Sequence, residues 1–258
     1  MDVSSGGTMR QNLKGLLKHF RSHLGAWRQR RFLPKHSSVR FGNLRRVTPI
    51  SREFGYDRGQ PIDRYYIENF LSHCTDDIRG RVLEVGVDSY THRFGGIQVT
   101  TNDVLDINEG NPQATIVGDL TLADHIPSNT FDCIILTQTL HLIYDAHSAV
   151  RTLHRILKPG GVLLATFPGL SQISLDQWGN SWYWGFTTHS ARLMFEDIFG
   201  PMNVTVEAHG NVLVALSFLH GLAVQELRKE ELDHRDRQYE VLITLRAVNG
   251  DEPDEAPQ

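Results

Sequence analysis

The sequence predicts an α/β protein: a seven-stranded sheet, mostly parallel, with an antiparallel last strand. Three observations predict it. Short apolar runs alternate with segments of helical spacing, which is the pattern of a parallel sheet. One of these runs, Asp132–Gln138 (DCIILTQ), is nearly all apolar, as a strand buried on both faces must be. The last two strand segments follow a helical stretch and can pair antiparallel.

In chain order, Arg40–Pro61 reads as an irregular entry, carrying Gly42, Pro49, Gly55, Gly59 and Pro61. Asp63–Cys74 reads as a helix, with Tyr66, Ile67, Phe70 and Leu71 on one stripe and Pro61 and Asp63 at its start. Arg81–Gly86 (RVLEVG) is the first strand, Gln98–Asp103 (QVTTND) the second and Ala114–Val117 the third, ended by Gly118-Asp119. Asp132–Gln138 is the fourth. Ala146–Leu157 is a helix that stops at Lys158-Pro159-Gly160-Gly161, followed by the fifth strand, Gly161–Phe167. Thr188–Phe199 is a helix with Thr187 or Thr188 as N-cap and Gly200 beyond its end. Asn203–Ala208 and Tyr239–Val248 are the last strands, with a helical segment, about 212–227, between them.

The 258 residues carry 26 Lys+Arg and 30 Asp+Glu, but unevenly. Residues 1–46 hold eleven Lys+Arg and a single acid, Asp2, so a basic arm precedes an acidic body at 47–250. Within the arm, Leu13, Leu16, Leu17, Phe20, Leu24 and Trp27 share one helical face. Such a basic amphipathic helix can dock through residues 10–31 on an anionic membrane, a protein partner or the chain's own body, and its composition also suits a transit peptide. Nucleic acid is not expected as a partner, because the body would repel phosphates and no recognition motif follows the arm. Residues 251–258 read as a disordered acidic tail. The two cysteines, Cys74 and Cys133, lack metal-site spacing, so no structural zinc or disulfide framework is expected. The longest apolar stretch, Val212–Val224, is too short to cross a bilayer. No secretory signal is read, and the expected location is cytoplasmic, with the arm allowing attachment at the inner membrane surface.

In parallel sheets, ligands bind beyond the carboxyl ends of the strands. Those ends carry Glu84 and Gly86, then Asp103, then Asp119 and Leu120, then Thr137 and Gln138. A glycine admits a ligand close to the backbone. An acid after strand two can accept both hydroxyls of a ribose. A carboxylate at Asp119 can accept from an adenine amine while Leu120 packs on the ring. The series suits an adenosine-containing ligand.

The succession RVLEVG, VTTND, VGDL, FDCIILTQTLHL and LHRILKPGGVLLATFPG resembles the class I S-adenosylmethionine-dependent methyltransferases, of the methyltransferase type 11 kind, over about residues 61–250. FGYDRGQPIDRYYIENFL (54–71) and YWGFTTHSARLMFEDIFG (183–200) resemble a bacterial subgroup found beside glycosyltransferases. The resemblance implies a Rossmann-like fold and S-adenosyl-L-methionine as cofactor. It places Glu84, Gly86 and Val87 at the methionine and ribose end, Asp103 on the ribose, Asp119 and Leu120 on the adenine, and Thr137 and Gln138 beneath the sulfonium. Tyr65 or Tyr66 would join a lid. The family's G-x-G-x-G loop here reads Gly86-Val87-Asp88-Ser89-Tyr90, and Asp88 is expected to crowd the cofactor or contact its amino group. The links between the first three strands are too short for full helices, so those helices must be trimmed or replaced by loops.

Methyl transfer chiefly demands that donor and nucleophile be held in line, and a hydroxyl acceptor also needs a base. His141, three residues past Gln138, is the first candidate, and His189 the second. The aromatic segment Trp178–Phe186, with Trp182 and Trp184, is placed as the acceptor surface and suits a sugar face or a flat, partly apolar molecule. The function so read is methylation, chiefly O-methylation, of a small molecule or glycan. The alternative is a non-catalytic docking module in a glycan or natural-product assembly complex.

Overall fold

In the computed structural model, residue 34 and residues 36–175 and 179–250 are described. The basic stripe at 10–31, Trp178 and the 251–258 tail lie outside them. The chain divides into two compact units, Met1–Val47 and Thr48–Gln258. In the first, Gly42–Leu44 forms a single 3₁₀ turn, and the Arg45 guanidinium stands 5.9 Å from the Phe41 ring centroid.

The second unit holds seven strands in the order β3-β2-β1-β4-β5-β7-β6. They are β1 (Gly80–Val85), β2 (Val99–Asp106), β3 (Ile116–Val117), β4 (Phe131–Thr137), β5 (Leu157–Pro168), β6 (Val204–His209) and β7 (Leu242–Val248). Strands β1 to β5 pair in parallel, whereas β7 lies antiparallel between β5 and β6. The expected seven-stranded sheet with an antiparallel last strand is therefore present. Among the described residues, five α-helices flank it: α1 (Ile62–His73), α2 (Ala146–Ile156), α3 (Thr188–Phe199), α4 (Val212–Leu219) and α5 (Lys229–Asp233).

Side chains alternate across each central strand, so neighbouring residues enter different cores. Leu83, Ile134, Leu136, Leu163 and Ala165 pack with Val150, Leu153 and Ile156 of α2 and Phe195 and Phe199 of α3. Val82, Cys133, Ile135 and Leu164 pack on the other face with Ile62, Ile67 and Leu71 of α1 and Phe218 of α4. Both cysteines are buried thiols, and burial pushes Cys74 up to about 11. Caps set the helix starts. Asp145 accepts from the Ser148 amide, Thr187 and Ser190 form a capping box, and Asn211 accepts from the Leu213 and Val214 amides.

Three boundaries differ from the sequence reading. Strand β2 continues past Asp103 because Val104 and Leu105 are themselves buried and paired with Glu84 and Val85. Lys158–Gly161 follows α2 as expected but lies within β5, where the pairing with β4 shifts register between Phe131 and Cys133. The segment 212–227 is not one helix: α4 ends at Leu219, and Gly221 takes a left-handed φ of 69° that turns the chain away.

The short links behave as expected. After β1 the chain makes only a π-turn at Thr91–Gly95 and a 3₁₀ turn at Gly96–Gln98. Between β2 and β3 it makes turns closed by Asn108 and Asn111.

Candidate active site

A cleft of about 1020 Å³ opens at the carboxyl ends of the first four strands. Its wall includes Gly86 and Val87 after β1, Leu105, Asp106 and Ile107 around the end of β2, Asp119 and Leu120 after β3, and Thr137 and Gln138 at the end of β4. Ligand sites in open α/β sheets sit at this edge, and β1 and β4 flank the point where the strand order reverses.

Gly86 has φ 91°, and a Cβ built on it would have no heavy atom within 4 Å. The position therefore demands glycine for its backbone and leaves open space above it. Its amide donates to Leu105 O at 2.9 Å. Asn111 Nδ2 donates to both Gly86 O and Asp106 Oδ2, each at 2.7 Å, tying the ends of β1 and β2 together. Asp119 Oδ1 accepts from the Thr121 amide and hydroxyl, which fixes the turn beside Leu120. Gln138 holds a left-handed φ of 48° while its amide donates to Thr166 O at 3.0 Å. A non-glycine residue in that conformation costs about 1 kcal/mol or more, which the surrounding fold must offset.

Of the residues expected to bind the cofactor, Gly86, Val87, Asp119, Leu120, Thr137 and Gln138 line this cleft; Asp103, Glu84 and Tyr66 do not. Asp103 lies mid-strand, where its carboxylate accepts from Arg81 Nε at 2.7 Å and from the Thr115 hydroxyl at 3.0 Å. The acid at the end of β2 is Asp106. Glu84 is buried beneath the first loop, accepting from the Thr91 amide and hydroxyl and the Tyr90 amide. Burial raises its pKa, and these donors work against that rise. It shapes the π-turn rather than the cleft. Tyr66 is buried, with its hydroxyl donating to Leu232 O and its ring stacked on His209. Tyr65 likewise points to Asp233. Asp88 does not crowd the cleft; its carboxylate turns to His92, Asn102 and Gln113.

The residues that border the cleft opposite the strand ends were not singled out by sequence. Tyr56, Gln60, Arg64, Glu68, Tyr90 and Arg93 do so. Arg64 donates to Tyr56 Oη at 2.9 Å and Tyr90 Oη at 3.2 Å, and Arg93 pairs with Glu68 at 2.7 Å. Arg64 is an arginine in the first turn of α1, where the helix dipole favours acids. That mismatch was the available signal.

A smaller compartment of about 200 Å³ adjoins the cleft, sharing Tyr56, Arg64, Gln138 and Leu142 with it. His141 and Trp182 line it, with ring centroids 4.4 Å apart. His141 is 2% exposed, its Nδ1 has no hydrogen-bond partner, and burial pushes its pKa down to about 4. The aromatic segment is held over this region by its backbone. The Tyr183 and Trp184 amides donate to His141 O, Trp184 Nε1 donates to Ile143 O, and Phe186 is buried against Phe167. Trp184 stacks on Tyr144 and borders neither cavity, and His189 is exposed on α3 away from both. Between these two residues, Phe186 is anchored by its amide to Pro168 O and Thr187 caps α3.

The residues present fit S-adenosylmethionine. Gly86 leaves open space over its backbone, Asp106 and Asp119 offer carboxylates, and Leu120, Leu142 and Ile143 offer apolar surface in the same cleft.

Comparison with known proteins agrees. Residues 82–165 match the family model described as methyltransferase domain. The chain is similar to UbiE, the ubiquinone/menaquinone biosynthesis C-methyltransferase of Escherichia coli and of Shigella boydii, with 31% identity over 116 residues. That match covers 38% of this chain, and the chain spans less than half, 46%, of those curated relatives. Solved structures of similar shape include a SAM-dependent methyltransferase from Archaeoglobus fulgidus (13% identity, TM-score 0.46, covering 72% of this chain and 90% of that one). Another is a possible exported protein from Bordetella parapertussis (13% identity, TM-score 0.49, covering 88% and 79%). Residues 82–165, from β1 into β5, thus match a methyltransferase domain, and the strand order and strand-end cleft fit a class I S-adenosylmethionine-dependent methyltransferase.

Proposed function

We propose that this protein transfers a methyl group from S-adenosylmethionine to the oxygen of a small-molecule acceptor. The observation that carries the reading is the convergence of Gly86, Asp106 and Asp119 on one cleft at the strand ends, with Asn111 bridging the first two. In this reading Asp106, rather than the expected Asp103, takes the ribose hydroxyls. Asp119 and Leu120 hold the adenine, and Gly86 and Val87 face the amino-acid end. Thr137 lines the floor of the larger cleft, and Gln138 borders both cavities.

When bound, S-adenosylmethionine supplies a sulfonium methyl whose carbon–sulfur bond breaks, its electron pair going to sulfur as the acceptor's oxygen bonds to the carbon. The chain's own task is to align the acceptor, keep out water and receive the hydroxyl proton. His141 is the group suited to the last of these: it is neutral well below neutral pH and has an unpartnered nitrogen beside Gln138. That nitrogen favours oxygen over carbon as the methylated atom, although the UbiE relatives are named as C-methyltransferases. We also propose that residues 10–31 dock on anionic lipid. Liposome co-sedimentation with and without residues 1–46 tests this, and equal binding of both forms would exclude it.

Calorimetric titration of the folded protein with S-adenosylmethionine and S-adenosylhomocysteine tests the main reading. Micromolar binding of both is expected. A folded protein that binds neither would overturn it.

A further inference from the structure

The larger cleft is accounted for by the donor. The smaller compartment is not, and its chemistry is specific. Phe54, Phe218, Leu142, Pro168 and Val241 give it apolar walls, and Trp182 gives it a flat face. Phe54, like Gln138, holds a left-handed backbone, with φ 54°. Two strained residues therefore frame the same small space, and strain of this kind persists where the fold imposes it for a purpose.

The polar groups in the wall are mostly engaged already. Ser171 Oγ donates to Gln172 O, and Asp63 Oδ1 accepts from the Arg64 amide. Arg64 is committed to Tyr56 and Tyr90, and Asp63 Oδ2, 3.9 Å from its Nε, offsets its charge. The exceptions are the His141 ring, whose buried Nδ1 has no partner, and the Gln138 carboxamide, which makes no hydrogen bond among the described residues. A buried polar atom left unpaired costs about 1–3 kcal/mol, so it marks a place where a ligand atom belongs.

We propose that this compartment is the acceptor subsite and takes a compact, planar, uncharged aromatic alcohol, its ring against Trp182 and its hydroxyl on the His141 imidazole. The proposal rests on the methyltransferase reading and narrows it. A hydroxyl is the matching group because it both donates and accepts, so it satisfies Nδ1 in either tautomer of a neutral imidazole. A sugar does not match, because its several hydroxyls would be stripped of water against mostly apolar walls, with the His141 ring and the Gln138 carboxamide alone to receive them. A charged acceptor does not match either, because the two charged groups at the wall already neutralise each other. About 200 Å³ also limits the occupant to a single small ring system or to the reactive end of something longer.

The test is calorimetric titration of the full chain, saturated with S-adenosylhomocysteine, with three probes: p-cresol, toluene and methyl β-glucopyranoside. Cresol should bind at least tenfold more tightly than toluene, which has the same ring without the hydroxyl, and the glucoside should not bind. His141→Phe should bring cresol down to toluene's affinity. His141→Gln, which keeps a hydrogen-bonding group, should retain most of the preference and covers the case in which the phenylalanine variant does not fold. Trp182→Ala should weaken both aromatic probes together. Equal binding of cresol and toluene, or tighter binding of the glucoside, would overturn the assignment. If S-adenosylhomocysteine binds and no aromatic probe does, the subsite fails while the methyltransferase reading stands. If S-adenosylhomocysteine itself does not bind the folded chain, the underlying reading has failed and the subsite falls with it.

Discussion

Asp103 and Asp106 are three residues apart on one strand, and the difference between them is a matter of what each carboxylate already touches. Asp103 is spent on Arg81 and Thr115, whereas Asp106 stands at the cleft with Asn111 and the Asn108 amide holding it in place. Asp106→Ala should therefore weaken S-adenosylhomocysteine binding roughly ten- to a hundredfold, the worth of a charged hydrogen-bonding group, with little change in melting temperature. Asp103→Ala should do the reverse, lowering stability by about 1–3 kcal/mol in denaturant melts while leaving affinity within a few-fold. Gly86→Val should cost both strain, about 1–3 kcal/mol, and nearly all cofactor binding, since the new side chain fills the cradle. His141 gives a pH signature. Burial puts its pKa at about 4, so it stays neutral as pH falls from 7.5 to 5.5, and kcat/KM should be flat on its account over that range. A histidine at its ordinary 6.5 would lose about tenfold by pH 5.5, and a decline of that size would remove His141 from the base role.

At the scale of elements, the strands that build the site were legible because burial on both faces leaves a near-continuous apolar run, as in Phe131–Leu136. The acid that ends β2 was misplaced by three residues. Asp103 interrupts the pattern early, and the strand's true continuation is Val104-Leu105, followed by a turn-forming stretch from Asn108 to Pro112. The rim of the cleft was not legible at all. Tyr56, Arg64 and Tyr90 come from three different segments, and nothing local to any of them records that the fold brings them to one mouth. The aromatic loop was recognised as important, but which rings face the acceptor depended on Phe186, an anchor that packs on Phe167 and Ala191's helix from within the loop itself. Phe186→Ala should cost about 3–5 kcal/mol by urea unfolding. It should also loosen the Tyr183 and Trp184 amides from His141 O, which hydrogen exchange at those two amides would report as lost protection.

Over the whole molecule, three described histidines with depressed pKa values, His141, His154 and His209, make stability depend on pH in a defined window. His141 and His209 are each pushed down to about 4, chiefly by burial, so the unfolded chain binds their protons first. Stability from these groups is fully present above about pH 6.5 and is lost as pH falls toward 4, amounting to about 3 kcal/mol for the buried His141 alone. Urea midpoints measured between pH 7 and 4.5 should fall accordingly, and His141→Phe, where it folds, should flatten the curve. A wild-type midpoint constant across that window would contradict the burial of both rings.

The place of β7 has a consequence for how the chain is made. It is the last described strand in sequence yet sits in the interior of the sheet, with β5 on one side and β6 on the other. A ribosome therefore delivers β5 and β6 with no means of joining them, and the apolar flank of β5, Val162 to Phe167, waits as an unpaired edge until Leu242–Val248 emerges. That is a template any extended segment can occupy. Stalled chains ending near Tyr239 should accordingly remain protease-sensitive and dependent on chaperones, and release of some ten further residues should close the sheet in one step.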